Sequence, residues 1–330
     1  MRWCVYGAGA IGGVVGARLS LSGAEVSLVA RGAHLEAIRA HGLRLREPDG
    51  ERVVRLPAAD SIAGLPLADG DVVVLAVKTQ QTAAALDDLA LNAPAGVRVL
   101  CLQNGIDNER QALRFFDDVY GASVTLLGSH LEPGIVVAHS APTVGILQLG
   151  RAPAGLDQPV RDMAATLRTA GIRVDLSDDV LRYKRLKLLR NLGNAIEIVC
   201  AGPAPAVLER VSAEADAVFA AAGLTLPDAA ENIPGPEPVQ PSVPREGGST
   251  LQSVLRGAGS VETDYLNGEI ALLGRLAGMP AAVNALLQRL AREVGAGRRP
   301  LHGLTEPELL QLIPHPDANE RTAEPGAERR

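Results

Sequence analysis

Lys187, Asn191 and Asn194 stand at i, i+4 and i+7 in the stretch Arg182-Tyr183-Lys184-Arg185-Leu186-Lys187-Leu188-Leu189-Arg190-Asn191-Leu192-Gly193-Asn194. In a continuous helix that spacing puts one ammonium and two amides on a single face. Such a set could give a proton to an oxygen and hold polar groups beside it. Lys184 and Arg190 lie three residues to either side of Lys187. Like charges at that distance favour the neutral lysine, which suits a general acid near neutral pH. The same pattern also describes a solvated basic face, and spacing alone does not choose between the two.

A second set of residues points to phosphate chemistry. The apolar run Trp3-Cys4-Val5-Tyr6 leads straight into Gly7-Ala8-Gly9-Ala10-Ile11-Gly12, then a helix-like stretch to Leu21, then the apolar run Val26–Ala30. This strand–turn–helix–strand setting is what a dinucleotide-binding G-x-G-x-x-G requires. Gly7 serves the tight turn, Gly9 the approach of a pyrophosphate, and Gly12 the close seat of helix on strand. Ala10 and Ile11 begin the helix whose free N–H groups and positive dipole end face the phosphates. The second strand ends not in a carboxylate but in Arg31, and the next acid is Glu36. A guanidinium grips a 2′-phosphate that a carboxylate would repel, so the expected cofactor is NADPH.

These groups need elements to carry them. Asp71–Val77 and Val97–Leu102 are near-continuous apolar runs, as buried parallel strands are. They end in Lys78-Thr79-Gln80 and Gln103-Asn104-Gly105. In doubly wound sheets ligands lie just beyond the carboxyl ends of strands, which places Lys78 and Asn104 beside cofactor and substrate. Val119–Thr125 is a third strand. Gly134–His139 and Gly145–Leu149, joined through Ser140-Ala141-Pro142, read as an antiparallel hairpin extending the same sheet. A helix over Asp157–Ala170 and a strand over Ile172–Leu176 complete this part.

From Ser177 helical periodicity dominates, over Asp178–Cys200, Ala204–Ala222, Leu251–Leu255, Glu262–Ala277 and Pro280–Val294. The expected fold is thus an α/β N-terminal Rossmann-type dinucleotide-binding domain (1–176) followed by an all-α C-terminal domain (177–313). The Pro-rich segment 233–248 reads as a long surface loop and residues 314–330 as a disordered tail.

Composition narrows the class. Hydrophobic residues make up 47% of the 330 but aromatics only 2%, so the core is built from Ala, Val and Leu. A net charge of −6 with scattered basic residues argues against a nucleic-acid partner. Cys4, Cys101 and Cys200 have no paired spacing and read as reduced core thiols of a cytoplasmic protein. The six His never fall at metal-ligand spacing, so no metal is expected. The chain opens on a strand rather than a secretory leader, and no apolar run is long enough to span a membrane. A homodimer is compatible with the sequence but not specified by it.

Taken together, the segments Gly7-Ala8-Gly9-Ala10-Ile11-Gly12, Ala76-Val77-Lys78-Thr79, Gln103-Asn104-Gly105, Lys187-Leu188 with Asn191, Ser249-Thr250-Leu251-Gln252 and Glu262-Thr263-Asp264-Tyr265-Leu266-Asn267-Gly268 resemble the ketopantoate reductase family from residue 1 to about residue 295. The resemblance implies NADPH-dependent reduction of a 2-keto acid, 2-dehydropantoate, to the 2-hydroxy acid in pantothenate and coenzyme A synthesis. It implies Lys187 as proton donor and Glu262 as the carboxylate that orients the lysine or receives the product hydroxyl. Asn104, Asn191, Asn194 and Ser249 (with Thr250 as its substitute) become substrate-binding residues, with Asn104 and Lys78 also near the nicotinamide. Ser249 also fits a simple helix cap. Four departures fall around the substrate: Tyr183 for the family's tryptophan, Asn194 seven rather than eight residues past the lysine, a segment Arg256–Val261 one residue longer, and Ser253 for an aspartate. They leave room for another branched 2-keto acid; a non-catalytic NADPH-binding sensor is a separate alternative, against which Lys187 and Glu262 stand.

Overall fold

The computed structural model describes residues 1–228, 247–257 and 259–314; the expected Pro-rich loop (but for Gly247 and Gly248) and the expected tail beyond Pro314 lie outside the described residues. In chain order the strands are β1 (Trp3–Tyr6), β2 (Val26–Val29), β3 (Leu43–Glu47), β4 (Gly50–Val54), β5 (Ala58–Ala59), β6 (Val72–Leu75), β7 (Arg98–Cys101), β8 (Val119–Leu126), β9 (Gly128–Ser129), β10 (Ile135–Ala138), β11 (Gly145–Arg151) and β12 (Ile172–Leu176). The helices are α1 (Ala10–Leu21), α2 (Gly32–His41), α3 (Thr82–Asn92), α4 (Asn108–Ala112), α5 (Gln158–Thr169), α6 (Val180–Asn191), α7 (Gly193–Val199), α8 (Pro205–Ala221), α9 (Ser249–Leu255), α10 (Asn267–Leu276), α11 (Ala282–Gly295) and α12 (Glu306–Leu312). Of the described residues, 1–190, 225–228 and 247 form one compact unit, and 191–224, 248–257 and 259–314 form a second.

The first unit is built on a sheet of order β12-β11-β8-β7-β6-β1-β2-β5. All neighbours run parallel except β8 and β11. The apolar run at 72–75 is wholly buried in β6, at the centre beside β1. Burying each of its side chains is worth about 1.5–3 kcal/mol, which is why the run carries no polar alternation.

A second sheet, of order β4-β3-β10-β9, is not anticipated by the sequence reading. It corrects the expected hairpin: β10 pairs parallel with β3 and antiparallel with β9, whereas β11 pairs with β8 and β12 in the large sheet. The reason lies in α1. Its sequence Ala-Ile-Gly-Gly-Val-Val-Gly-Ala has no polar face, because one side meets the large sheet and the other the small one. A Cβ placed at Gly16 would lie 3.0 Å from Leu28 Cδ2 of the large sheet, and one at Gly13 would lie 2.6 Å from Val136 Cγ1 of the small sheet. Val136 is thus spent covering α1 rather than extending the main sheet.

In the helical half two expected helices are interrupted. The run expected over 178–200 breaks at Leu192 between α6 and α7, and that expected over 262–277 begins as a 3₁₀ turn, Glu262–Tyr265, before α10. Leu192 keeps helical dihedrals, but its carbonyl accepts Asn267 Nδ2 at 3.4 Å. A side chain taking a backbone carbonyl is a common cause of such a break. Asn267 in turn donates to Asn284 Oδ1 at 3.1 Å, and Asn284 is held by Glu214 at 2.8 Å. The three cysteines are buried and unpaired, and burial pushes the Cys4 thiol up to about 12. Among the described residues no helix is long and apolar enough to cross a membrane, and no cluster of three or more His, Cys, Asp or Glu could hold a metal.

Candidate active site

The glycines of the first turn do three different jobs. Gly7 sits at φ +106°, and a Cβ there would lie 2.8 Å from Val77 N. Its N–H and that of Ala8 both donate to Val29 O, tying the turn to the end of β2. A Cβ at Gly12 would lie 2.2 Å from Gly7 O, so helix and turn can meet only at a glycine. A Cβ at Gly9 meets no protein atom within 4 Å. That position, preceding the α1 N-terminus with no side-chain cap, is where unsatisfied N–H groups can hold an anion.

The same turn lines a pocket with Tyr6, Ala30, Arg31 and His34. Arg31 is exposed at the start of α2 and hydrogen-bonds the Tyr6 hydroxyl. Tyr6 itself donates to Asp88 Oδ2 at 2.8 Å. Burial, with Asp88 beside it, pushes its phenol up to about 12.

His34 was not anticipated from the sequence. Gly134 N–H donates to its Nδ1 at 2.8 Å, which leaves Nε2 to donate to Ala8 O at 2.7 Å. The neutral ring therefore braces the fingerprint turn against the small sheet's loop. The His130 ring lies 4.1 Å away. Burial, and then His130, holds His34 down at about 4 instead of 6.5. Between those values the unfolded chain takes up a proton that the folded chain refuses. This contribution to stability is therefore complete above pH 6.5 and declines as pH falls toward 4. Thermal unfolding followed from pH 7 to pH 5 is expected to show that decline, and His34→Gln, which keeps one donor and one acceptor, is expected to flatten it. An unchanged pH slope in the variant would count against the brace.

At the carboxyl edge of β6 and β7 the two loops expected to carry chemistry are stitched together. Lys78 precedes a 3₁₀ turn, Thr79–Gln81. Thr79 Oγ1 donates to Asn104 O at 3.3 Å, and Asn108 Nδ2 donates to the same carbonyl at 2.8 Å. Lys78 and Asn104 thus sit on adjacent segments of one bonded edge.

Helix α6 corrects the sequence reading of its cations. Lys184 is not one of a row of solvated charges: its side chain is 2% exposed, ion-paired with Glu109, itself 2% exposed, and it donates to Gln103 O at 3.1 Å. Burial lifts the Glu109 carboxyl and Lys184 draws it back. Paired with Glu109, Lys184 presents little net like charge to Lys187. Lys187 itself is half-buried. Asn194 belongs to α7, beyond the interruption at Leu192, while Lys187 and Asn191 stand one turn apart on α6.

In the second unit, Asn191 is buried and its Nδ2 has no hydrogen-bond partner among the described residues. Asn194 Oδ1 lies 3.5 Å from a Cβ placed at Gly248, and Glu197 accepts the Gly248 N–H at 2.8 Å. The structure therefore brings Asn194 to the segment that opens with Ser249. Gly248, not Ser249, is the N-cap residue of α9, which removes the capping account of Ser249. Ser249 is half-buried, Thr250 is buried, and Ser253 donates to Ser249 O at 2.8 Å. Glu262 is a buried carboxylate opening its 3₁₀ turn. Glu197 and Asn267 went unmarked in the sequence reading as supports, since their partners are distant in the chain.

Both parts of the chain have counterparts among known proteins. The family described as "Ketopantoate reductase PanE/ApbA" matches residues 3–153, and "Ketopantoate reductase PanE/ApbA C terminal" matches residues 183–295. A 2-dehydropantoate 2-reductase of Mesorhizobium japonicum is 31% identical over 89% of this chain and 99% of its own. The crystal structure of a PanE/ApbA family ketopantoate reductase from Ralstonia eutropha superposes with a TM-score of 0.75 at 29% identity, over 90% of this chain and 99% of that one. A D-mandelate dehydrogenase solved with NADH and anilino(oxo)acetate gives a TM-score of 0.74 over 90% of this chain and 99% of that one, but at 22% identity it speaks for the fold alone. With both halves matched in order, and with the glycine turn and the lysine helix in place, the chain belongs to the ketopantoate reductase family, a family of NADPH-dependent oxidoreductases.

Proposed function

We propose that the chain reduces 2-dehydropantoate to pantoate with NADPH, a step toward pantothenate and coenzyme A. The observation that carries this reading is that one unit holds both an anion cradle with room above Gly9 and a lysine helix anchored to the Q-N-G loop at the sheet's carboxyl edge. The cradle suits a dinucleotide: Gly7, Gly9, Ala10, Ile11 and Gly12 take the pyrophosphate, and Arg31 takes the 2′-phosphate. When bound, NADPH supplies the hydride that goes to the keto carbon. The rest is work for this chain's side chains.

Lys187 holds a proton beside the carbonyl oxygen and gives it up as negative charge develops there; its ammonium stabilises that charge beforehand. Glu262 is the second catalytic residue. Asn191, whose buried Nδ2 lacks an acceptor, is suited to a substrate oxygen. Asn104, Asn194 and Ser249 hold the remaining polar groups, with Lys78 at the nicotinamide side.

The test is NADPH oxidation with 2-dehydropantoate beside a panel of other branched 2-keto acids. The highest kcat/KM is expected for 2-dehydropantoate; preference for another acid would overturn the substrate, and no turnover with any would overturn the reaction. Arg31→Asp removes a forked phosphate contact and installs repulsion. It is expected to cost about 3 kcal/mol of NADPH preference, the worth of roughly two charge-assisted hydrogen bonds. Equal NADH and NADPH affinity in the unmutated chain would overturn the role of Arg31.

A further inference from the structure

We propose that the buried Lys184–Glu109 ion pair is a positioning device for Asn104: it clamps the carbonyl of the preceding residue and so sets where Asn104 meets the substrate. The proposal rests on the reading of Asn104 as a substrate-binding residue.

The geometry is that of a closed polar cage with one outlet. Lys184 Nζ donates to Glu109 and, at 3.1 Å, to Gln103 O. The Gln103 side chain donates to Val77 O at 2.9 Å and to Thr82 Oγ1 at 2.7 Å. Thr82 donates to Asn108 Oδ1 at 2.8 Å, and Asn108 Nδ2 returns to Asn104 O at 2.8 Å. Gln103, Thr82, Asn108, Glu109 and Lys184 are all buried. Asn104 is the half-buried member of the segment. The backbone carbonyl on its N-terminal side and its own are therefore both held from inside, which leaves its side chain for the substrate.

Stability alone does not explain the pair. A buried ion pair is often no better than two apolar side chains of similar volume, because desolvation offsets the attraction. Here Glu109 Oε2 also meets no donor among the described residues. Two apolar residues, however, could not grip a carbonyl. The fold makes room for the device: a Cβ at Gly121 of β8 would lie 3.0 Å from Glu109 Oε1 and 3.2 Å from Val180 Cγ1, at the first residue of α6. The pair thus also seats the helix that carries Lys187 one turn further on.

The test separates positioning from packing. Lys184→Met alone strands the Glu109 charge and is expected to unfold the chain or lower its Tm sharply. Lys184→Met with Glu109→Met removes both charges and is expected to restore Tm, since buried pairs are commonly replaceable in this way. In that folded double variant kcat/KM for the keto acid is expected to fall by about 10²-fold, mostly through KM, as a misplaced binding group costs. NADPH affinity, read by fluorescence titration, is expected to hold. Amide exchange in the peptide covering 102–108 is expected to quicken, while that covering 3–21 stays as before. A double variant with parental Tm, parental kcat/KM and parental exchange would overturn the proposal. If the parent reduces no keto acid, the proposed function fails, and exchange at 102–108 still decides whether the pair holds the loop. If the double variant does not fold, Lys184→Met with Glu109→Gln, which leaves no buried charge and no ammonium on Gln103 O, is read instead: quicker exchange at 102–108 in the folded protein supports the clamp, and parental exchange there overturns it.

Discussion

Lys187→Ala is expected to lower kcat for keto-acid reduction by about 10²–10⁴-fold, toward the upper end because both the proton and the stabilising charge are lost. NADPH affinity is expected to change little. The phosphate contacts proposed for Gly9 and Arg31 lie before α1 and at the start of α2, whereas Lys187 is on α6. Lys184 is unsuitable as a control, although it is the neighbouring cation: removing it breaks a buried ion pair, and such losses typically cost about 3–5 kcal/mol. Arg161→Ala on the exposed side of α5 is the appropriate comparison. Steady-state kcat, with NADPH binding measured separately, decides the matter. A Lys187→Ala enzyme with near-parental kcat would mean that the proton comes from elsewhere, with Lys78 the next candidate.

The contrast between Lys184 and Lys187 shows where sequence reasoning reaches its limit. Both lysines sit in one basic helix, and spacing treats them alike. What separates them is Glu109, 75 residues away in the chain, and the carbonyl of Gln103. Neither leaves a mark near residue 184. The glycine turn was legible because its requirements are local: Gly7 and Gly12 answer a dihedral or a contact within one strand–helix unit or with the neighbouring strand, and Gly9 leaves open space above the turn. The parallel core was legible because β6 and β7 are buried on both faces and so read as unbroken apolar runs.

The small sheet was missed for the opposite reason. Leu43–Glu47 alternates with arginines, and Arg44 and Arg46 both reach Glu51 across the β3–β4 pair. A half-exposed ribbon of that kind is a weak pattern by itself. A usable sign was present in α1, whose apolar residues leave no face for solvent and so demand a second covering layer. The broken helix at Leu192 had no comparable sign. Its cause, Asn267, lies 75 residues downstream.

The glycine turn yields the second large effect, because two of its residues separate folding from binding. At Gly12 an added Cβ would stand 2.2 Å from Gly7 O, a backbone atom that cannot move without dismantling the turn. Gly12→Ala is therefore expected to destabilise the chain by about 3 kcal/mol, the upper part of the usual overpacking range, and to lower Tm by roughly 6–12 °C. At Gly9 an added Cβ meets no protein atom within 4 Å, and its φ of −74° suits alanine. Gly9→Ala should cost the fold well under about 1 kcal/mol, the scale of an N-cap change. Its methyl would instead occupy the space into which a pyrophosphate must come. NADPH affinity is expected to fall by about 10²-fold, equivalent to roughly 2.7 kcal/mol. Calorimetric Tm and fluorescence-titrated Kd, measured on both variants, give the decisive pair of readings. A Gly9→Ala chain that binds NADPH like its parent would place the pyrophosphate away from this turn and remove the basis for Ala10, Ile11 and Gly12 as cofactor residues. A Gly12→Ala chain of parental Tm would mean that helix and turn can part without loss, which the 2.2 Å approach does not allow.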